Sequence, residues 1–556
     1  MFFLMMSTIY SIWGLIVANY KAGLAVSVIS VPLSISLAVA SGATPLQGIL
    51  TAIFAGICAA IFGGSKFNIV GPTGALSGLI LAFAITHGYA FIPFVAIVSG
   101  FIILLVRSLK LTKYITLIPS TALHGFILGV ALIIVVNQLN GALGLVGLPS
   151  HDTLFANFLE TIRHISETNL ATFILFAFSF VFLQLIKKYF PKMPGIIPVS
   201  IVGIIIGYFI KEGSIPFQIL LLSDSFPDLA FRLWESVNRS SLLHGFTVNI
   251  PLYADIAIAA FTISIVAILE TVISAKIADK VTKTKFHESK EMFGLGIANI
   301  ASGFAGGMPA TAALVRTSLN VRSGANSSIS AVINALCIVL ISWLFFDYFI
   351  YIPLSVISAI LISIALAMID SKALKKIYYY DRLSLYIIVL VAVITFIRDP
   401  IYGIIVGTSI ALLAYLYNTS QGHLYATVFR ENQYIGKMYF SHYLKQQQDH
   451  DVIVCKFGGD ISFLNINASI KQIAKIHKKV QLILSFSDIS YIDIDGIEIF
   501  EEMIDMIAAK DCSVYFAGVH HRLHSIFSKT HYFQKLLAHD KVFLSTSAAL
   551  RAIGLR

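Results

Sequence analysis

The sequence predicts a polytopic α-helical membrane protein of two halves, about seven spans each, followed by a small α/β domain. Three observations predict it. Of the 556 residues, 57% are hydrophobic and only 12% are charged, whereas a soluble globular chain carries about 25% charged residues. The apolar runs suit a hydrocarbon layer of roughly 30 Å, which takes about 20 residues of helix. Two of the runs, one per half, are broken by glycine and proline: Phe62–Leu79 (FGGSKFNIVGPTGALSGL) and Ala301–Ala325 (ASGFAGGMPATAALVRTSLNVRSGA). Paired interruptions of this kind point to a transporter site between inverted repeats.

Taken in order, the first half gives spans near 22–40, 46–62, 68–86, 90–106, 119–137, 169–186 and 196–210. The second gives spans near 254–275, 292–305, 309–321, 328–346, 352–368, 384–397 and 401–417. An odd number per half turns the second half over relative to the first, which is how an inverted repeat is built. Charge sets the orientation. With the N-terminus in the cytoplasm, inner loops collect Lys66, Arg107, Lys110, Lys113, Lys187, Lys188 and Lys192. They also collect Lys276, Lys280, Lys283, Lys285, Lys290, Arg322, Lys372, Lys375, Lys376 and Arg382. The outer loops hold only Arg163, Lys211, Arg232, Arg239 and Arg398, although 140–168 and 212–252 are long. This is the positive-inside pattern of a cytoplasmic membrane protein. It accounts for the net charge of +10 without nucleic acid, because the cations form no single patch. Met1–Ile16 lacks a basic n-region and an A-x-A site, so no cleavable leader is expected. Cys58, Cys337, Cys455 and Cys512 are too scattered for a disulfide framework or a metal spacing.

Composition changes after Tyr417, giving a transmembrane region 1–418, a linker 419–432 and a soluble domain 433–556. Within that domain 451–457, 481–486 and 513–517 read as strands. Residues 465–479, 496–509, 521–530 and 545–553 carry helical periodicity, an α/β pattern. The orientation above places it in the cytoplasm.

Chemistry concentrates at the breaks. Glu270 follows nine uncharged residues in FTISIVAILETVISAKIAD (Phe261–Asp279), and an ionised carboxylate at that depth costs a few kcal/mol unless it meets a cavity, a partner or a proton. Ser274 lies one turn on, on the same face. Carboxylate plus hydroxyl suits a proton or a small cation such as Na⁺; an ion pair with Arg316 that only holds helices together is the plainer alternative. Arg316 follows the second break by two turns. Two half-helices meeting at mid-membrane would aim unpaired N–H groups and positive dipole ends at one cavity. With a guanidinium added, that cavity suits an anion. Thr73, Gly74 and Ala75 on the first arm, and Leu314 and Val315 on the second, would present the backbone donors. Gly56, Gly100, Gly125 and Gly129 read instead as close helix packing. In the tail, Asp493 and Asp495 stand at a strand-to-helix turn, where an N-cap is the default role. No span carries a nucleophile–base pair or metal cluster at recognisable spacing, so no enzyme is expected.

These motifs resemble the sulfate permease (SulP) family of anion transporters, relatives of the prestin-like solute carriers, over nearly the whole chain. The resemblance rests on AGLAVSVISVPLSISLAVASG (Ala22–Gly42), FGGSKFNIVGPTGALSG (Phe62–Gly78) and the long run Leu269–Ala325; the tail resembles a STAS domain. It implies a core domain holding both half-helices, a gate domain against which the core moves, and a homodimer with cytoplasmic STAS domains open to protein partners. It puts the anion at Thr73, Gly74, Leu314, Val315 and Arg316, and Glu270 at the family's acidic position in the eighth span. Three departures stand out. The family's Pro-Gln-x-x-Ala-Tyr-Ala reads Pro32-Leu33-Ser34-Ile35-Ser36-Leu37-Ala38 here, without either polar side chain. The region leans toward the bicarbonate-transporter branch, yet the three positions of that branch's sodium site read Glu270, Ser274 and Leu314, one hydroxyl short. Before Gly496, where related regulatory domains carry a phosphorylatable serine, stands Asp495. The expectation is a secondary active transporter of a small anion, sulfate or bicarbonate first, coupled to H⁺ or Na⁺ and needing no other cofactor. An uncoupled exchanger or channel, a dicarboxylate transporter, a nucleobase permease and a non-transporting regulator are the alternatives.

Overall fold

Within hydrocarbon a segment must satisfy its own backbone N–H and C=O groups, and a helix does so. Each of the fourteen predicted stretches carries a helix. The computed structural model describes residues 2–111, 119–149, 154–190, 193, 195–226, 250–398, 400–420, 424–458, 460–462, 465–510 and 512–555. The first half contains α1 (Phe2–Ala40), α2 (Pro45–Phe62), α3 (Gly74–His87), α4 (Ile92–Ser108), α5 (Ser120–Asn137), α6 (Leu170–Tyr189) and α7 (Ile196–Lys211). The second contains α8 (Ile250–Thr282), α9 (Glu288–Phe304), α10 (Leu314–Arg322), α11 (Ile329–Phe349), α12 (Leu354–Met368), α13 (Arg382–Ile397) and α14 (Pro400–Ser420). Among the described residues eight helices are long and apolar enough to cross a membrane, and four shorter ones are apolar as well. The two left over, α9 and α10, flank the second break. Segment 369–383, expected as a loop, holds a helix, Ser371–Tyr380, whose N-terminus is capped by the Asp370 carboxylate. Lys113, Lys192, Arg232 and Arg239 lie outside the described residues.

Packing repeats under the exchange of each first-half helix with its second-half counterpart. Helix α1 packs on α10 and α11, and α8 packs on α3 and α4. Likewise α2 meets α11 while α9 meets α4, and α5 meets α13 while α6 meets α12. At the centre, β1 (Val70–Gly71) pairs antiparallel with β2 (Thr311–Ala312), in the register Val70↔Ala312 and Gly71↔Thr311. Counterpart strands that pair antiparallel with each other are related by a two-fold axis between them. Helices α1–α4 and α8–α11 thus form one group, and α5–α7 with α12 and α13 a second. The groups meet where α3 contacts α5 and where α1 contacts α7 and α12.

Glycine permits the closest approaches within each group. A Cβ at Gly100, Gly125 or Gly129 would fall 2.6, 2.6 or 2.5 Å from an atom of the neighbouring helix, closer than carbon allows. Gly56 departs from that expectation, since its nearest neighbour would lie 3.5 Å away, an ordinary contact.

The chain divides into two compact units, Met1–Ala411 and Leu412–Arg556. The second is a six-stranded sheet of order β4–β3–β5–β6–β7–β8. Its strands are β3 (Leu424–Arg430), β4 (Gln433–Tyr439), β5 (Val452–Phe457), β6 (Gln481–Ser485), β7 (Ser513–Ala517) and β8 (Val542–Phe543). Strand β3 pairs antiparallel with β4 and β5, and β5 to β8 run parallel. This corrects the reading of 419–432 as linker and of a domain starting at 433. Leu424, Ala426 and Val428 alternate inward and are buried, so the supposed linker contains an internal strand. Around Phe486 the core is aromatic, with Phe516 and Phe527 ring centres 4.8 and 5.2 Å away. Buried Asp451 accepts from Arg430 Nε at 2.9 Å, Arg430 Nη2 at 3.1 Å, the Gln448 amide at 3.0 Å and the Tyr443 hydroxyl at 3.3 Å. Burial, and then the Asp451 charge, push the Tyr443 phenol above its ordinary range.

Candidate functional site

Both breaks are held open by side chains from other helices. After α2 ends at Phe62, the backbone runs to β1 through bends at Gly64, Lys66 and Phe67, and its polar groups need partners. Glu291 of α9, buried, accepts from the Gly64 and Ser65 amides at 2.7 Å each and from Asn68 Nδ2 at 2.6 Å. Thr317 and Asn320 of α10 bond the Ile69 amide and the Phe67 carbonyl. On the second arm, Asn299 bonds both the amide and the carbonyl of Ala310, and Thr51 of α2 accepts from the Met308 amide. Gly306 turns the chain with φ of +80°, a conformation glycine adopts without steric cost.

After these arms α3 and α10 restart. Thr73 and Ala313 are their N-caps, and neither helix receives a side-chain cap. First-turn N–H groups are thus unclaimed by capping side chains, and both ends reach one cavity of about 160 Å³. One water needs about 10–15 Å³ of such space, so a polyatomic anion fits. Thr73, Gly74, Ala75, Leu314, Val315, Arg316 and Glu270 all line it, which brings together every predicted binding residue and one of the two predicted coupling residues.

Arg316 is 1% exposed. Its Nη2 donates to the Pro72 carbonyl, while Nε and Nη1 have no hydrogen-bond partner among the described residues. An unpaired buried donor costs about 1–3 kcal/mol, more when charged, so these nitrogens favour a bound anion. Gly71 makes room for the guanidinium, because a Cβ there would lie 2.6 Å from Nη1. Among the described residues Glu270 and Arg316 form no direct ion pair, against the plainer alternative. Glu270 Oε2 instead accepts from Thr73 Oγ1 at 2.9 Å, joining α8 to the N-cap of α3. Ser274 is the predicted residue left out. Its hydroxyl donates to Asn68 Oδ1 at 3.0 Å and does not line the cavity. One helical turn keeps i and i+4 on one face, but here that face leaves the cavity for the Asn68–Glu291 network.

Asn68 and Glu291, with Thr51, Asn299, Thr317 and Asn320, are polar residues that hydropathy does not single out. Glu291 lies next to Lys290, inside a basic stretch that reads as an inner loop. The apolar wall was equally hidden, since Leu123, Phe126, Ile364 and Met368 look like lipid-facing residues in a hydropathy pattern. Leu33 and Leu37, which stand where the family pattern carries its Gln and Tyr, also line the cavity. In the second unit Asp493 is the N-cap of helix Ile494–Ala508, accepting from the Gly496 amide at 2.7 Å. Asp495 is exposed in its first turn.

A two-fold helical bundle with paired helix breaks, joined to a separate α/β unit, is the architecture of a multi-pass membrane transporter carrying an additional C-terminal domain. The chain belongs to the sulfate permease family, whose model matches residues 17–391, and its residues 443–549 match the STAS domain. It is 26% identical over 517 residues to the putative sulfate transporter YvdB of Bacillus subtilis (strain 168), covering 93% of this chain and 94% of that one. It is 24% identical over 555 residues to the bicarbonate transporter BicA of Picosynechococcus sp., covering 95% and 93%. The fold matches murine Slc26a9, an anion transporter, with a TM-score of 0.80 at 17% identity over 96% of this chain and 91% of that one. It also matches the transmembrane domain of a cyanobacterial BicA, with a TM-score of 0.59 at 24% identity over 70% and 97%.

Proposed function

We propose that this chain is a secondary active transporter of a small anion, with sulfate and bicarbonate the first candidates, working by alternating access. One observation carries the reading: two uncapped helix N-termini and a buried arginine with unpartnered nitrogens converge on one cavity. Arg316 and the helix ends hold the anion. The group containing α3 and α10 moves as the core against the other group, which acts as the gate. Glu270 carries the coupling ion. With Glu270 ionised a dianion meets a negative neighbour, and a proton taken up at Glu270 removes that repulsion, so a dianion would travel with H⁺. Na⁺ beside the Glu270 carboxylate is the other form of coupling. The Lys/Arg bias supports a cytoplasmic-membrane location with the N-terminus and STAS domain inside. A homodimer and a protein partner for the STAS domain belong to the same reading.

The test is uptake of labelled sulfate into proteoliposomes under an imposed inward proton gradient, with bicarbonate, succinate and chloride as unlabelled competitors. Proton-stimulated accumulation is the expected result for a sulfate–proton symporter. No sulfate accumulation, with or without the gradient, moves the substrate to bicarbonate or a dicarboxylate and makes Na⁺ the next variable. Absence of uptake when each of the four anions is labelled in turn, with and without Na⁺, refutes the reading.

A further inference from the structure

The cavity's charge and wall narrow its substrate further. Resting on the anion-transport reading above, we infer that the site takes a monovalent anion with a short apolar substituent, a small monocarboxylate, in preference to a tetrahedral dianion.

The charge observation concerns Arg316, Glu270 and the ends of α3 and α10. With Glu270 ionised, the guanidinium and carboxylate cancel, and each helix N-terminus contributes roughly half a positive charge. Together they leave about one positive charge, which one monoanion neutralises. A dianion leaves about one negative charge uncompensated among apolar side chains, and such a charge is strongly unfavourable.

The wall is an independent observation. The rest of the lining includes Leu33, Leu37, Leu123, Phe126, Ile364 and Met368, and none of them offers a hydrogen-bond donor. The Thr73 hydroxyl is already donated to Glu270. Donors are therefore gathered on one side, at Arg316 Nε and Nη1 and the first-turn amides. A sulfate turned toward them leaves its remaining oxygens against leucine and phenylalanine, and a buried acceptor without a partner is costly. A carboxylate turns both oxygens to the donors and its alkyl group to the leucines. Such a chain gains from the same wall that penalises sulfate.

The experiment is equilibrium binding to the purified full-length protein in detergent at alkaline pH, which favours the ionised Glu270, by titration calorimetry. The ligands are acetate, propionate, butyrate and valerate, compared with sulfate and bicarbonate. Binding, unlike vesicle uptake, is unaffected by leakage of the neutral acids across lipid. Burying each added methylene should tighten binding about fourfold until the cavity is full, and Leu37→Gln should flatten that series while strengthening sulfate. The wild-type series decides the matter even where Leu37→Gln does not fold. Arg316-dependent binding of sulfate or bicarbonate, with no effect of chain length, overturns this inference and leaves the transport reading standing. Equal binding of every ligand to wild type and Arg316→Ala, or no binding at all, overturns both.

Discussion

Gly71→Ala isolates the contribution of a single side-chain position to anion binding. Gly71 does not have positive φ, so alanine suits its backbone, and the substitution acts through the new methyl alone. That methyl would sit 2.6 Å from Arg316 Nη1 and 3.3 Å from Cζ and Nη2. Non-bonded heavy atoms settle at about 3.5–4.0 Å, so the guanidinium must retreat by roughly 1 Å. The retreat strains its hydrogen bond to Pro72 and shifts Nε and Nη1 away from the helix ends. A hydrogen bond to a charged group contributes about 1.5–3 kcal/mol, and 1.4 kcal/mol is a factor of ten. Anion affinity should therefore fall by roughly 10- to 100-fold. Gly56→Ala is the matched control, because its methyl would find its nearest neighbours at 3.5 and 3.7 Å and helix propensity favours alanine there. The assay is competition binding of both variants alongside wild type, with monodispersity on size exclusion as the check on folding. Wild-type affinity in a well-folded Gly71→Ala protein would refute the placement of Arg316 at the anion.

Three further outcomes follow from the same contacts. Glu270→Gln keeps an oxygen for the Thr73 hydroxyl but removes the charge, so it should abolish uphill uptake in gradient-driven proteoliposomes while anion binding persists and shifts in favour of dianions; unchanged concentrative uptake would remove Glu270 from coupling. Glu291→Ala strips the acceptor from three buried donors, and at about 1 kcal/mol or more each the loss should exceed about 3 kcal/mol, read as a lower melting temperature in detergent, with Glu291→Gln intermediate. Asp451→Asn leaves Arg430 without its charge partner and should destabilise residues 412–556 by about 2–4 kcal/mol; an unaltered urea midpoint for that fragment would show that the buried pair contributes nothing net.

Much of this architecture was legible because a bilayer restricts the choices. Each apolar stretch picked by hydropathy coincides with a helix among the described residues, and Gly71–Gly74 and Gly306–Pro309 located both breaks, because interrupted apolar runs are conspicuous against regular ones. Arg316 and Glu270 were visible for the same reason, as charges at a depth where charge is expensive. What remained hidden lacks that contrast. Glu291 sits beside lysines that mark a loop, and nothing local says that it reaches across to Gly64 and Ser65. Leu123, Phe126, Ile364 and Met368 carry the same hydropathy whether they face lipid or a ligand. Ser274 illustrates a different limit, since helical spacing fixes the face but not which partner that face meets. Strand β3 was lost because alternating small and apolar residues after a short polar stretch resemble a connector until the partner strands are known.

The short ladder between β1 and β2 has a consequence for how such proteins diversify. Its register, Val70↔Ala312 and Gly71↔Thr311, is written in main-chain hydrogen bonds and fastened by Thr311 against Thr271 at 2.8 Å. The spacing of the two helix ends therefore does not depend on which side chains furnish the surrounding wall. Substitutions at Leu33, Leu37 or Met368 can alter what the chamber admits while the donor pair stays where it is. Descendants of one ancestral scaffold can thus acquire new cargoes a residue at a time, without rebuilding the clasp that grips them.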